Sequence, residues 1–149
     1  MIGLLQRVSE ASVEAGGGRV AAIGHGLVVL VGVERGDTAD EVERLLDRLL
    51  HFRVFEDEQG RMNLDIRQVG GALLLVPQFT LAADTAKGNR PGFSGAAAPE
   101  LGRALFEALA ESARATGVEV ATGVFGATMR VRLCNEGPAT FWLQVALRR

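Results

Sequence analysis

Two prolines set against strand-like runs constrain this chain more than any other feature. Pro77 directly follows Leu73-Leu74-Leu75-Val76, and Pro138 lies between the apolar-rich runs 128–133 and 140–146. Proline has no N–H to offer a β-ladder, so a strand must end or bulge at Pro77 and again near Pro138. The backbone groups released there still need partners. Two such places in one small fold, in segments 77–81 and 135–140, point to a site that holds its ligand largely through main chain.

The rest of the chain supplies a frame for those segments. Residues 2–8 predict a first strand, Gly16-Gly17-Gly18 a turn, and 20–23 a strand that pairs back. After a second turn at Gly24-His25-Gly26, residues 27–33 predict a buried strand. Thr38 and Glu41 have capping-box spacing, and Val42, Leu45, Leu46 and Leu49 follow at helical intervals. Residues 52–55 predict a strand, 56–60 an exposed turn, and 62–64 a return strand. Residues 82–98 form a long irregular segment, of the kind that is often functional. Pro99 suits the first position of a second helix, with Leu101, Leu105, Phe106 and Leu109 on one face and an end near Gly117. Strands at 118–121, 128–133 and 140–146 complete the order.

Hairpins outnumber crossovers, so the predicted class is α+β, a mostly antiparallel β-sheet sandwich with two main helices covering one face. Two helices cover only one sheet face, which leaves a further apolar face for a second subunit. At 149 residues the expectation is one domain, 1–149, with a substantial core. The longest apolar stretch, 27–33, is too short to span a bilayer, and Arg7, Ser9 and Glu10 interrupt any signal-like region. The lone cysteine, Cys134, excludes an internal disulfide and fits a reducing cytoplasm, the expected location. A net charge of −2 argues against broad duplex binding, yet allows contact with the end of an RNA.

Few side chains recommend themselves for chemistry. Cys134 reads as a buried structural cysteine, His25 as a turn residue and His51 as a helix-end residue. Two histidines and one cysteine without ligand spacing make no metal site, and none is expected. No nucleophile elbow, zinc-protease helix or P-loop is present. Strand alternation would place Gln78 and Thr80 on one face, but a threonine without a base is a poor nucleophile. Arg130 and Arg132 share one face of their strand, and with Lys87 and Arg90 they read either as solvated charge or as contacts for an RNA end.

Taken in order, several motifs resemble the D-aminoacyl-tRNA deacylase family over nearly the whole chain. They are Gln6-Arg7-Val8, Ala11-Ser12-Val13, Gly24-His25-Gly26-Leu27, Leu30-Val31-Gly32-Val33, Phe55-Glu56-Asp57, Met62-Asn63-Leu64 and Gln78-Phe79-Thr80-Leu81. Arg90-Pro91 through Phe93-Ser94-Gly95-Ala96, Phe125-Gly126-Ala127 with Met129, and Asn135 through Thr140 complete the set. The resemblance implies a three-layer ββα homodimer with sites at the subunit interface and no cofactor. Its implied activity is hydrolysis of the ester between a D-amino acid, or glycine, and the 3′-terminal ribose of tRNA, a chiral proofreading step. Gln78, Phe79 and Thr80 would line the pocket as its catalytic segment, with the Phe79 N–H toward the substrate carbonyl. Gly137 and Pro138, joined by a cis bond, would reach into the partner's pocket, hold the substrate ammonium and leave no room for an L side chain. Arg7 would support that loop, Met129 would pack beside the aminoacyl group, and Pro77, Ala139 and Thr140 would complete the substrate-binding set. The ribose 2′-OH would assist the attack, with Thr80 positioning rather than acting as nucleophile.

The chain departs from the family pattern at three places: Pro77 and Gly92 replace serines, and Ala139 replaces a valine. Two alternatives follow. One is the related deacylase branch that acts on mischarged L-aminoacyl-tRNA and carries proline at the place of Pro77. The other is a non-catalytic module that binds RNA ends.

Overall fold

The computed structural model describes residues 1–146. In chain order its elements are strands β1 (Ile2–Ala15), β2 (Gly18–Ile23) and β3 (Gly26–Gly32), helix α1 (Ala39–His51), strands β4 (Phe55–Glu56), β5 (Met62–Leu64) and β6 (Ala72–Pro77). A 3₁₀ turn (Phe79–Ala82), helix α2 (Pro99–Ala115) and strands β7 (Glu119–Thr122) and β8 (Met129–Gln144) follow. Among the described residues no helix is long and apolar enough to cross a membrane.

The main sheet is mostly antiparallel, as its turns predict. β1 pairs with β2 through 11–15, with β3 through 2–8, and along its other edge with β8. The crossovers through α1 and α2 add two parallel junctions, β3 with β6 and β6 with β7. Gly16 and Gly17 turn the first hairpin at φ of +61° and +83°, which a Cβ would oppose. At Gly26 the constraint is contact: a Cβ there would lie 1.9 Å from the Ala72 carbonyl oxygen.

Helix α1 begins with the predicted capping box. The Thr38 hydroxyl accepts from Asp40 N–H (3.2 Å), and its N–H and hydroxyl donate to the Glu41 carboxylate at 2.7 and 2.8 Å. Burial pushes the Glu41 carboxyl up, but these bonds from Thr38 outweigh it and hold the group below its ordinary value. Helix α2 starts with Pro99 at its first turn, and Gly117 (φ +87°) stands just beyond its end.

Alternation along β3 and β6 serves two cores. Leu27, Val29, Leu73 and Leu75 pack toward the helices with Leu45, Leu49, Phe106 and Leu109. Val28, Leu74 and Val76 point the other way, against Val8, Ala11, Val13, Ala21 and Ile23. The far halves of β1 and β2, with Met129 and Val131 of β8, therefore cover the second sheet face from within the same chain. This corrects the expectation of an uncovered face on the central strands. Two register shifts in the β1–β8 ladder make the fold-over geometrically possible.

Other expectations change locally. Phe52 caps α1 in extended geometry and meets Phe141 edge-on at 5.4 Å, so the strand predicted at 52–55 shrinks to Phe55–Glu56. The strands predicted at 128–133 and 140–146 are one strand, β8, which ends at Gln144. Cys134 is exposed rather than buried, because it lies opposite Glu10 on the stretch of β8 that leaves the core. Leu101 is also largely exposed, and Gly102 takes its place on the buried face of α2 against Phe125.

Candidate active site

The chain leaves the sheet at Pro77, the last residue of β6, and Gln78 N–H donates to Val31 O at 2.8 Å. Pro77 has no N–H to offer the sheet, and the 3₁₀ turn begins two residues later, at Phe79. Gly32 makes room for this turn: a Cβ there would lie 3.0 Å from Leu81 Cβ and 3.2 Å from Gln78 O. The turn's own bonds start with Leu81 N–H to Gln78 O at 3.2 Å. Phe79 and Thr80 precede that bond, so their N–H groups have no partner within the turn.

The Gln78 side-chain amide nitrogen donates to the Thr80 hydroxyl oxygen. The pairing predicted from strand alternation is therefore real but has a different cause: the chain has already left the strand at Gln78 and is turning. It also bears on chemistry. The amide NH₂ only donates, so it cannot take a proton from Thr80. Phe79 is exposed and meets Phe93 edge-to-face at 5.1 Å.

Behind this turn lies a cavity of about 430 Å³, walled by Pro77, Gln78, Phe79, Met129, Phe106 and Phe125 among others. Met129 enters from β8, and its sulfur lies 3.3 Å from the Val124 nitrogen. Gly123 leaves space for it, since a Cβ there would stand 2.8 Å from that sulfur. The α2-side wall, Phe106 and Phe125, was not anticipated from sequence. Its helical periodicity marks a core face, and only the cavity distinguishes a lining residue from a filled one.

A second cluster forms where β8 passes Arg7. The ladder pairs Gln6 with Thr140 and Val8 with Asn135, so residues 136–139 all bulge opposite Arg7 alone. The Gly137–Pro138 bond is cis, as the resemblance implies. Arg7 is almost fully buried. It donates through Nε to Glu136 O (3.0 Å) and through Nη1 to Val54 O (2.6 Å), with Glu56 3.8 Å from Nη2. Asn135 Nδ2 donates to Arg7 O (2.9 Å) and Ala139 O (3.2 Å). Gln6 Nε2 donates to the Thr140 hydroxyl at 3.1 Å. Ala139 is buried, whereas Gly137 and Pro138 are exposed.

The structure thus gathers the expected residues into two groups. Pro77, Gln78, Phe79 and Met129 share the cavity, and Thr80 is joined to it through its bond from Gln78 rather than lining it. Arg7, Gly137, Pro138, Ala139 and Thr140 share the bulge, and none of these lines the cavity within one chain. Lys87 and Arg90 sit on an exposed loop pinned by paired Asp84 and Gly92 backbone bonds. Arg132 pairs with Glu14 on the neighbouring strand. Among the described residues, no group of three or more His, Cys, Asp or Glu side chains gathers as metal ligands do.

With this geometry in view, comparison with known proteins is specific. A family model described as D-Tyr-tRNA(Tyr) deacylase matches residues 4–144. The chain is 60% identical over 145 residues to a D-aminoacyl-tRNA deacylase of Thioalkalivibrio sulfidiphilus (strain HL-EbGR7), covering 97% of each chain. It is 57% identical over 151 residues to a D-aminoacyl-tRNA deacylase of Ralstonia nicotianae (strain ATCC BAA-1114 / GMI1000), covering 98% of this chain and 91% of the relative. A solved structure named c-Myc DNA Unwinding Element Binding Protein superposes with a TM-score of 0.92 at 36% identity, covering 99% of this chain and all of the other.

Proposed function

The chain belongs to the D-Tyr-tRNA(Tyr) deacylase family and hydrolyses the ester between a D-amino acid and tRNA, and we propose how its two clusters divide that work. One domain, residues 1–149, carries both. The turn at Pro77–Thr80 is the catalytic segment. The aminoacyl ester lies across Phe79, and the free N–H groups of Phe79 and Thr80 face the oxygen on which negative charge develops. Donors aimed at a developing oxyanion stabilise the transition state without rearrangement. The cavity beside them, walled by Met129 and the aromatic rings, is of a size that seats a small ligand and takes the end of the tRNA.

Thr80 positions rather than attacks. Its hydroxyl oxygen accepts from Gln78 and has no base there to activate it. The 2′-OH of the terminal ribose is already beside the ester and assists the attack; holding it there is the enzyme's contribution. No cofactor or metal enters this scheme.

The bulge supplies the chirality filter, and it does so in trans. The observation that carries this reading is the separation of the two clusters. Gly137 and Pro138 are held out from the ladder on a buried arginine, yet they line no part of their own chain's cavity. In a homodimer the bulge of one protomer closes the cavity of the other. The Gly137 and Pro138 carbonyls then receive the substrate ammonium, and an L side chain meets the bulge. Discrimination of this kind works by clash rather than by added affinity. A D side chain points outward, so D-aminoacyl-tRNAs of many side chains and glycyl-tRNA are substrates. The enzyme acts in the cytoplasm, where translation supplies them.

The deciding experiment mixes two defective proteins. Phe79→Pro removes a turn donor and Pro138→Ala alters the bulge. If the bulge acts in trans, mixed dimers contain one intact composite site and recover D-specific hydrolysis after co-refolding. No recovery, or a monomer in sedimentation, would refute the arrangement.

A further inference from the structure

We propose that Asn135 is the positioning residue that sets where Gly137 and Pro138 stand, and hence which hand of amino acid the enzyme accepts. This rests on the reading of the bulge given above. In a regular antiparallel ladder each carbonyl finds an N–H on the opposite strand. Four residues facing Arg7 alone break that pattern, and the carbonyls of Arg7 and Ala139 stand at the two sides of the bulge's neck. A single side-chain NH₂ reaches both: Asn135 Nδ2 lies 2.9 Å from Arg7 O and 3.2 Å from Ala139 O. It ties β1 to the far side of the bulge across the neck. The Arg7 guanidinium takes the Glu136 carbonyl at the rising edge. Three carbonyls around the bulge are thereby occupied, while Gly137 and Pro138 keep no ladder partner among the described residues. Those two carbonyls are the ones left to meet an ammonium group.

The other end of the same amide imposes a second condition. A Cβ added to Gly137 would lie 2.9 Å from Asn135 Oδ1. While Asn135 is held by its two donor bonds, its oxygen stands against the Gly137 α-carbon and refuses a side chain there. The asparagine thus uses both donors to fix the neck and its acceptor oxygen to keep the crest bare. Aspartate has the same shape but presents only acceptors to two carbonyls, so it repels what asparagine binds.

The test compares Asn135→Asp, Asn135→Ala, Asn135→Ser and Asn135→Gln with wild type. Hydrolysis is measured on one tRNA charged in turn with a D-amino acid, its L-enantiomer and glycine. The expected result is a rise of about tenfold or more in the L-to-D ratio of kcat/KM for Asp and Ala, the scale of one lost hydrogen bond. Ser, with one donor, falls between them and wild type, and Gln, with both donors, restores most of the discrimination. Glycyl-tRNA, which has no side chain to misplace, changes least. A second readout needs no activity: Gly137→Ala costs less thermal stability in the Asn135→Ala background than in wild type, because the opposing oxygen is gone. Parallel loss of D, L and glycyl turnover at a constant ratio, or strict additivity in the stability cycle, overturns the proposal. Should the Ala and Asp variants fail to fold, Ser and Gln carry the same comparison. A wild-type enzyme that hydrolyses both enantiomers equally would instead overturn the reading of the bulge on which this rests.

Discussion

Arg7 Nε and the carbonyl of Glu136, 129 positions apart in sequence, are joined by a 3.0 Å hydrogen bond. The same guanidinium holds Val54 O at 2.6 Å, so one buried side chain couples the bulge before Gly137 to the segment that follows α1. The planar guanidinium reaches them through two separate nitrogens, Nε and Nη1, whereas an ammonium must serve both from a single atom.

Arg7→Lys is therefore expected to keep the fold and loosen the bulge. Hydrogen bonds to a charged group contribute about 1.5–3 kcal/mol, and chemical denaturation should register a loss of that order. The L-to-D ratio of hydrolysis should rise in the same variant. An unchanged ratio would detach Arg7 from chiral selection.

Thr80→Val tests nucleophile against positioner. Losing one neutral hydrogen bond from the Gln78–Thr80 pair predicts a fall in kcat/KM within about tenfold. A protein nucleophile would instead cost several orders of magnitude. Rapid quenching with labelled D-aminoacyl-tRNA should trap no acyl-protein.

Phe79→Pro removes a main-chain N–H at a place where proline fits, the first residue of a helical turn whose preceding residue is outside the α region (Gln78 φ −146°, ψ 77°). Phe79→Ala removes the same ring and keeps the N–H. The proline variant should be slower than the alanine variant by about 10²–10³-fold in kcat, the scale for one oxyanion donor. Equal rates would assign the effect to the ring.

The capping box makes a pH prediction. Glu41 titrates below its reference value of 4.5 in the fold, so its contribution is complete above that pH and is lost as pH falls through the lower folded value. Asp37 works in the opposite sense: burial raises it from 3.8, and its contribution weakens as pH rises through the interval above that value. The difference between wild type and Thr38→Ala isolates Glu41. It should be about 1 kcal/mol and flat at neutral pH, and shrink below pH 4.5. A difference that grows on acidification would contradict the assignment.

Much of the local structure was legible without coordinates, because its causes are local. Thr38 and Glu41 three residues apart announce a helix start. Gly16 and Gly17 announce a turn of positive φ. Pro77 and Pro138 announce breaks in two ladders, since neither can donate. The order of motifs from Gln6 to Thr140 was enough to name the family.

Other features waited on contacts between distant segments. Val131 and Leu133 share one face of an apolar-rich run, and only the path of β8 along β1 packs the first on the second core and leaves the other exposed. Gln78 meets Thr80 through a turn that Gly32, on another strand, leaves room for. The inward fold of β1, β2 and β8 depends on two register shifts in a ladder joining opposite ends of the chain. Hydrophobic periodicity records which residues need burial and not which partner buries them. That choice is made when strands far apart in sequence settle into one register, and the same choice frees four residues opposite Arg7 to form the bulge.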